Sequence, residues 1–195
     1  MIAVTRRTLH RIRFAALAAT LVALAAPAGA QALDIPALPP LPGPHEACPG
    51  ANAEPTEVSL VVSERATFCL LNKERTSRSM RPFRRNRALD LASVRHARAM
   101  ALRDYFAHGN YVGRIKRANY LRGARSWMLG ENIAWGSGSL ATPAEIVEAW
   151  MHSPGHRANI LRPQFREIGV GIARGTPVRA FSDGATYATD FGTRG

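Results

Sequence analysis

The chain has 195 residues, of which 46% are hydrophobic and 21% charged, with 26 Lys and Arg against 14 Asp and Glu for a formal charge of +12. That length suits one domain able to bury a real core, so a multidomain organisation is not the starting expectation. The charge does not by itself make a nucleic-acid binder, because part of it sits in a leader. Arg6, Arg7, Arg11 and Arg13 precede the apolar run from Phe14 to Ala26, and Ala28-Gly29-Ala30 fits the small-residue rule for signal-peptidase cleavage. Residues 1 to 30 are therefore read as a removable secretory signal. The apolar run is too short for a stable membrane span, and no later segment is long and apolar enough to be one. Thr5-Arg6-Arg7 also carries a paired arginine compatible with folded export. Without the leader, 22 basic residues face 14 acidic ones, a formal charge of +8. A secreted or periplasmic protein is expected. Outside the cell, anionic lipid or envelope polymers are more plausible polyanions for it than nucleic acid.

Residues 31 to 58 contain seven prolines from Pro36 to Pro55 and read as a linker or extended arm. Cys48 and Cys69 are the only cysteines, and in an exported chain a pair favours one disulfide, two buried thiols being the alternative. From Glu57 to about Arg75 the apolar residues recur at helical spacing, with Val58, Val61, Val62, Ala66, Cys69 and Leu70 on the expected buried stripe. A second helix is expected from about Ala88 to Tyr105, with His96 on its apolar stripe, where a hydrogen-bonded core histidine is the first reading. Gly109 reads as its stop, which places His108 at the helix end. The mixture of Arg114, Lys116, Arg117, Arg122 and Arg125 with Tyr111, Ile115 and Tyr120 reads as a short amphipathic helix with a solvated basic face.

Gly130-Glu131-Asn132-Ile133-Ala134-Trp135-Gly136 reads as a glycine-bracketed turn presenting Glu131, with Asn132 fixing the local main chain. Thr142-Pro143-Ala144-Glu145 reads as a helix start with proline at the first position, and the helix should end where Ser153-Pro154-Gly155 breaks it. His156 follows that corner. The remainder reads as sheet: Glu167 to Ile172 alternates branched residues with glycines, as in a strand whose far face another backbone approaches, followed by a short strand over 178 to 181 and another over 187 to 191. Helices first and strands last imply an α+β domain with an antiparallel sheet.

His108, Glu131 and His156 come from three separate segments, each at an element end or turn. Two imidazoles and a carboxylate form a ligand set for zinc or another divalent cation, and the same three groups could act as general acid and base. His152 and His156 are also four apart, but Pro154 and Gly155 keep them off one regular helix face.

Five blocks, Tyr105-Phe106-Ala107-His108, Gly130 to Ala134, Trp150 to Leu161, Glu167 to Gly171 and Tyr187 to Gly192, stand in the order of the bacterial branch of the CAP superfamily, which the chain resembles over roughly residues 60 to 192. The resemblance implies a CAP domain over 59 to 195: an α-β-α sandwich with a central antiparallel sheet, helices on both sides and a large cleft. It also implies a cleft of two histidines and two glutamates able to hold a divalent cation, often zinc. His108, Glu131 and His156 match three of these; at the fourth place this chain has Ser153. Trp150, Asn132 and Arg157 read as scaffold: a core anchor, a turn former and a surface or hydrogen-bonding residue. The functions implied are a secreted, monomeric binding or envelope-associated module for a lipid, sterol-like molecule or envelope component, or a metal-dependent hydrolase acting through His108, Glu131 and His156. Polyanion binding through the basic surface is a third.

Overall fold

The fold is taken from a computed structural model that describes residues 2–4, 48–181 and 183–195. The rest of the expected signal and the expected arm up to residue 47 lie outside the described residues. Five strands, β1 (Ile2–Val4), β2 (Arg84–Arg85), β3 (Trp127–Ser137), β4 (Glu167–Arg174) and β5 (Gly184–Arg194), form one sheet in the order β1-β3-β5-β4-β2. The three long strands run antiparallel, as expected for an α+β domain. The two short edge strands pair in parallel, so the sheet is mixed at its margins. β1 lies within the expected signal; removal of residues 1 to 30 would take it away and leave four strands.

Five helices cover the sheet: α1 (Leu60–Thr76), α2 (Arg87–Leu102), α3 (Tyr111–Arg117), α4 (Pro143–His152) and α5 (Pro154–Ile160). Strand alternation sorts them into two layers. Ala134, Ile168, Val170, Ile172, Tyr187 and Phe191 pack against α1, α4 and α5, whereas Ile133, Ala173 and Ala188 pack against Ala97 and Met100 of α2. This is the expected α-β-α sandwich. Among the described residues, no helix is long and apolar enough to cross a membrane.

Local chemistry accounts for the elements that frame the cleft. The Asn86 side chain caps α2 by accepting from the Ala88 and Leu89 amides. The helix stops at Leu102, earlier than the glycine at 109 implied, because Asp104 takes a left-handed conformation (φ 52°). Thr142 caps α4 through the Glu145 amide, with Pro143 at the first position. Ser153, extended ahead of proline (φ −97°, ψ 118°), ends α4, but Pro154 then starts α5 directly, so His156 lies in a second short helix rather than on an open corner.

The buried stripe of α1 is Ser63, Ala66, Thr67, Leu70, Leu71 and Arg75, rotated from the one its valines imply; Val61 is 52% exposed. The reason is Arg75. Its guanidinium donates to the carbonyls of Arg81, Ile160, Arg162 and Phe165 and lies 4.0 Å over the Phe83 ring, which draws that face of the helix inward.

Cys48 and Cys69 form a disulfide, tying residue 48 to α1. The chain from there is docked: Ala144 donates to the Ala51 carbonyl, and Arg174 to those of Pro55 and Val58. No strand forms over 178 to 181. The Thr176 hydroxyl instead stands within donating distance of the Val178 and Phe181 carbonyls, with one proton for the two, and accepts from the Val178 amide, which makes this stretch a turn.

α2 lies directly on β4, as the alternating glycines imply. A Cβ on Gly169 would stand 2.0 Å from the Leu89 carbonyl carbon, and one on Gly171 2.1 Å from the Val94 amide nitrogen. Neither neighbour can yield, since both are backbone. Gly171→Ala should therefore cost at least about 1–3 kcal/mol as overpacking. Gly155→Ala, which meets nothing within 4 Å in a helix, should be neutral or stabilising by roughly 0.5–1 kcal/mol. Chemical denaturation of both variants checks the contrast.

Candidate functional site

Residues 130 to 136 are not a turn. They lie within β3, whose pleat sends Glu131 to the α2 face and Asn132 to the α5 face. Asn132 donates to the His156 carbonyl and accepts from the Asn159 side chain, while Trp150 Nε1 donates to the Ile133 carbonyl; these bonds fasten α4 and α5 to β3. Trp150 is a core anchor, as expected. Arg157 lines a surface groove of about 420 Å³ with Glu74, Glu148 and His152.

Glu131 is the centre of the site. Its side chain is 1% exposed, yet both oxygens are engaged. Oε1 lies 2.8 Å from His108 Nδ1 and Oε2 takes the Arg114 Nη2 donor. Arg114 also donates through Nη1 to the His108 carbonyl, 2.7 Å away, so one guanidinium from α3 fixes the carboxylate and the loop that carries the histidine. A neutral His108 bound in this way presents Nδ1–H to the carboxylate and leaves Nε2 as the acceptor; its ring is 40% exposed.

Beneath lies a second buried layer. Asp190 pairs with Glu131 across β3 and β5, and its Oδ2 accepts from Ser93 of α2 at 2.8 Å. Burial, reinforced by the negative charge of Glu131, pushes the Asp190 carboxyl well above its ordinary value. His96, also on α2, places Nε2 3.7 Å from Glu131 Oε2. It is buried as the apolar stripe implies, with the Ala107 backbone beside its ring, and neither ring nitrogen makes a well-formed hydrogen bond among the described residues. Burial lowers its pKa to about 4, against the opposing pull of Glu131, so it is neutral at pH 7.

The structure thus joins His108 to Glu131 directly but holds His156 otherwise. His156 Nδ1 bonds Ser153 Oγ at 2.8 Å, and burial lowers its pKa to about 4. Among the described residues, no group of three or more His, Cys, Asp or Glu is placed to hold a metal ion. Both Glu131 oxygens are already hydrogen-bonded, one to an imidazole and one to a guanidinium whose fixed positive charge opposes a second cation beside it. As arranged, these residues do not fit one.

Arg114, Asp190 and His96 belong to this site and are not among the residues the sequence singles out for it. Arg114 is indistinguishable by type from the solvated arginines around it. Asp190 carried a usable signal, an acid flanked by apolar and small residues in a strand.

A model of the family described as "Cysteine-rich secretory protein family" matches residues 68–188. The chain is 35% identical over 118 residues to the uncharacterized protein YkwD of Bacillus subtilis, covering 58% of this chain and 43% of that protein. It is similar in structure to an extracellular SCP-domain protein of Bacillus anthracis, with 25% identity, a TM-score of 0.53, and 66% and 39% of the two chains covered. An outer surface protein of Borrelia burgdorferi shares the fold at 15% identity and a TM-score of 0.59, with 71% and 97% covered. The chain thus spans less than half the length of both Bacillus proteins.

The buried acid and the buried histidines titrate with opposite sign. Stability from the raised Asp190 is fully present below its ordinary value of 3.8 and is lost as pH rises through the folded value. That from neutral His96 and His156 is present above 6.5 and lost as pH falls toward about 4. Asp190→Asn keeps an acceptor for Ser93 and does not titrate. Its melting temperature relative to wild type should rise steadily as pH increases from 4 to 8; a pH-independent difference would contradict this account of Asp190.

Proposed function

The chain belongs to the cysteine-rich secretory protein (CAP) family, and on that premise we propose that it is an extracellular binding module that uses its cleft to hold an envelope component or lipid-like molecule without turning it over. The observation that carries this reading is the state of Glu131: both its oxygens are hydrogen-bonded, to His108 and to Arg114. Where the family pattern would place a second acid stands Ser153, and its hydroxyl is spent on His156. A hydrolase needs a base or a metal free to activate water. The reading is supported further by the likeness to an extracellular SCP-domain protein and by the signal-like leader.

A second reading rests on His108. Its carboxylate-oriented, partly exposed ring has the parts of a general base, which supports a hydrolase. The two separate on turnover. With casein and p-nitrophenyl esters, with and without zinc, the mature chain should give the same rate as its Glu131→Gln variant. Turnover that disappears in Glu131→Gln and His108→Ala would establish the hydrolase instead. Cosedimentation with isolated bacterial envelope tests the binding itself. Raising salt from about 0.1 M to about 1 M shortens the screening length from about 10 Å to 3 Å, so cleft-mediated binding should survive it. Binding lost at high salt points to the basic surface, and no binding at either salt rejects the module.

A further inference from the structure

We propose that the outward face of α2 is a docking surface for an anionic lipid membrane. Ser93 and His96, which reach the cleft acids, lie on the opposite face of the same helix, so the inference does not rest on what the cleft binds.

α2 packs on the sheet through Leu89, Ala92, Ser93, His96, Ala97 and Met100. Its other face carries Arg87, Leu91, Arg95, Arg98 and Leu102, which recur at intervals of three and four residues and so line up along the helix. All five are exposed, Leu102 by 74% and Leu91 by 41%. Nothing in the fold neutralises the arginines. Asp90, the one acid of α2, is engaged by Arg85 and the Val170 amide; Glu64 also pairs with Arg85, and Asp104 with Arg179. Arg87, Arg95 and Arg98 make no ion pair among the described residues. Helix stability does not account for this arrangement. Arg95 and Arg98 repel each other at i,i+3, and Arg87 stands in the first turn, where the helix dipole favours an acid.

The leucines select the kind of anion. A phosphate polymer offers charge but nothing apolar to receive Leu91 and Leu102. The interface of an anionic bilayer offers both, headgroups for the guanidiniums and the acyl boundary for the leucines. A groove of about 350 Å³ beside the stripe repeats the combination: Arg98 and Leu102 line it together with Leu60, Val94, Ile172 and Arg174. Its one acid, Glu64, is the carboxylate held by Arg85.

The test is sedimentation of the folded mature protein with lipid vesicles in about 0.1 M salt, where the screening length is about 10 Å. Vesicles of phosphatidylcholine and phosphatidylglycerol in equal parts should carry it down, and phosphatidylcholine alone should not. Arg95→Gln with Arg98→Gln should weaken binding about 25-fold, at about fivefold for each charge near the surface. Arg157→Gln with Arg162→Gln removes the same charge from α5 and its end, in the opposite layer, and should change binding by less than about twofold. Leu91→Gln with Leu102→Gln keeps every charge and should weaken binding at least about tenfold. The substituted side chains of α2 are exposed, so both α2 variants should keep the wild-type melting temperature. The proposal is overturned if neither vesicle binds, if both bind alike, or if the two arginine pairs weaken binding equally. Unchanged binding by the leucine variant would assign the stripe to phosphate polymers and overturn the membrane. Vesicle binding that survives about 1 M salt and is indifferent to Arg95 and Arg98 would belong to the cleft; it overturns the proposal and leaves the cleft reading standing.

Discussion

The strand β3 carries a carboxylate into the interface between the sheet and α2, and much of the cleft's architecture answers to that one buried charge. A carboxylate there is tolerated only with charge compensation and donors for its oxygens. Arg114, carried by α3, supplies the compensation, and His108, on the loop after α2 that the same guanidinium holds by its carbonyl, supplies the second donor. The neighbouring Asp190 is buried beside Glu131, so its carboxyl is pushed well above its ordinary value while its Oδ2 accepts from Ser93. The same charge thus orders the histidine beside it and adds to the burial that raises the Asp190 carboxyl.

Backbone packing determines which side chains can take part. Gly169 and Gly171 let α2 lie on β4 at a separation that no side chain would allow, and this brings Ser93 and His96 down to the level of Asp190 and Glu131. On the opposite face, Asn132 and Asn159 lock α5 to β3 and hold His156 against Ser153. The two histidines expected to share a site are bonded differently, one to the carboxylate and the other to a hydroxyl, while the charge of His108 still reaches His156. Strand alternation at Glu131 and Asn132 is the cause of that difference.

Features that depend on local chemistry were legible in the sequence. The capped start of α4, the break at Ser153, the disulfide partners and the close backbone approach at β4 all follow from residue types at short range, and the ordered blocks carry the family's sandwich with them. Features that depend on long-range neutralisation were not. Nothing near Arg75 in the chain marks it as the residue that collects four carbonyls and rotates α1. Arg114 resembles the solvated arginines around it until Glu131 is placed beside it, and His96 satisfies the pattern of a core histidine while making no well-formed hydrogen bond among the described residues. The glycines at 130 and 136 point to a turn by type. In the fold they relieve crowding instead, Gly136 against the backbone of Leu140 and Gly130 against Phe165.

The central claim is that Glu131 and Arg114 are energetically one unit, and a double-mutant cycle on unfolding free energy measures it directly. Removing one partner of a buried pair strands the other and costs about 3–5 kcal/mol; the 15% exposure of the Arg114 side chain places this case toward the lower end. Glu131→Gln and Arg114→Met should each be strongly destabilising, and the double variant should cost well under their sum. Single costs that add to within about 0.5 kcal/mol would contradict the account, because independent sites behave that way and a coupled pair does not.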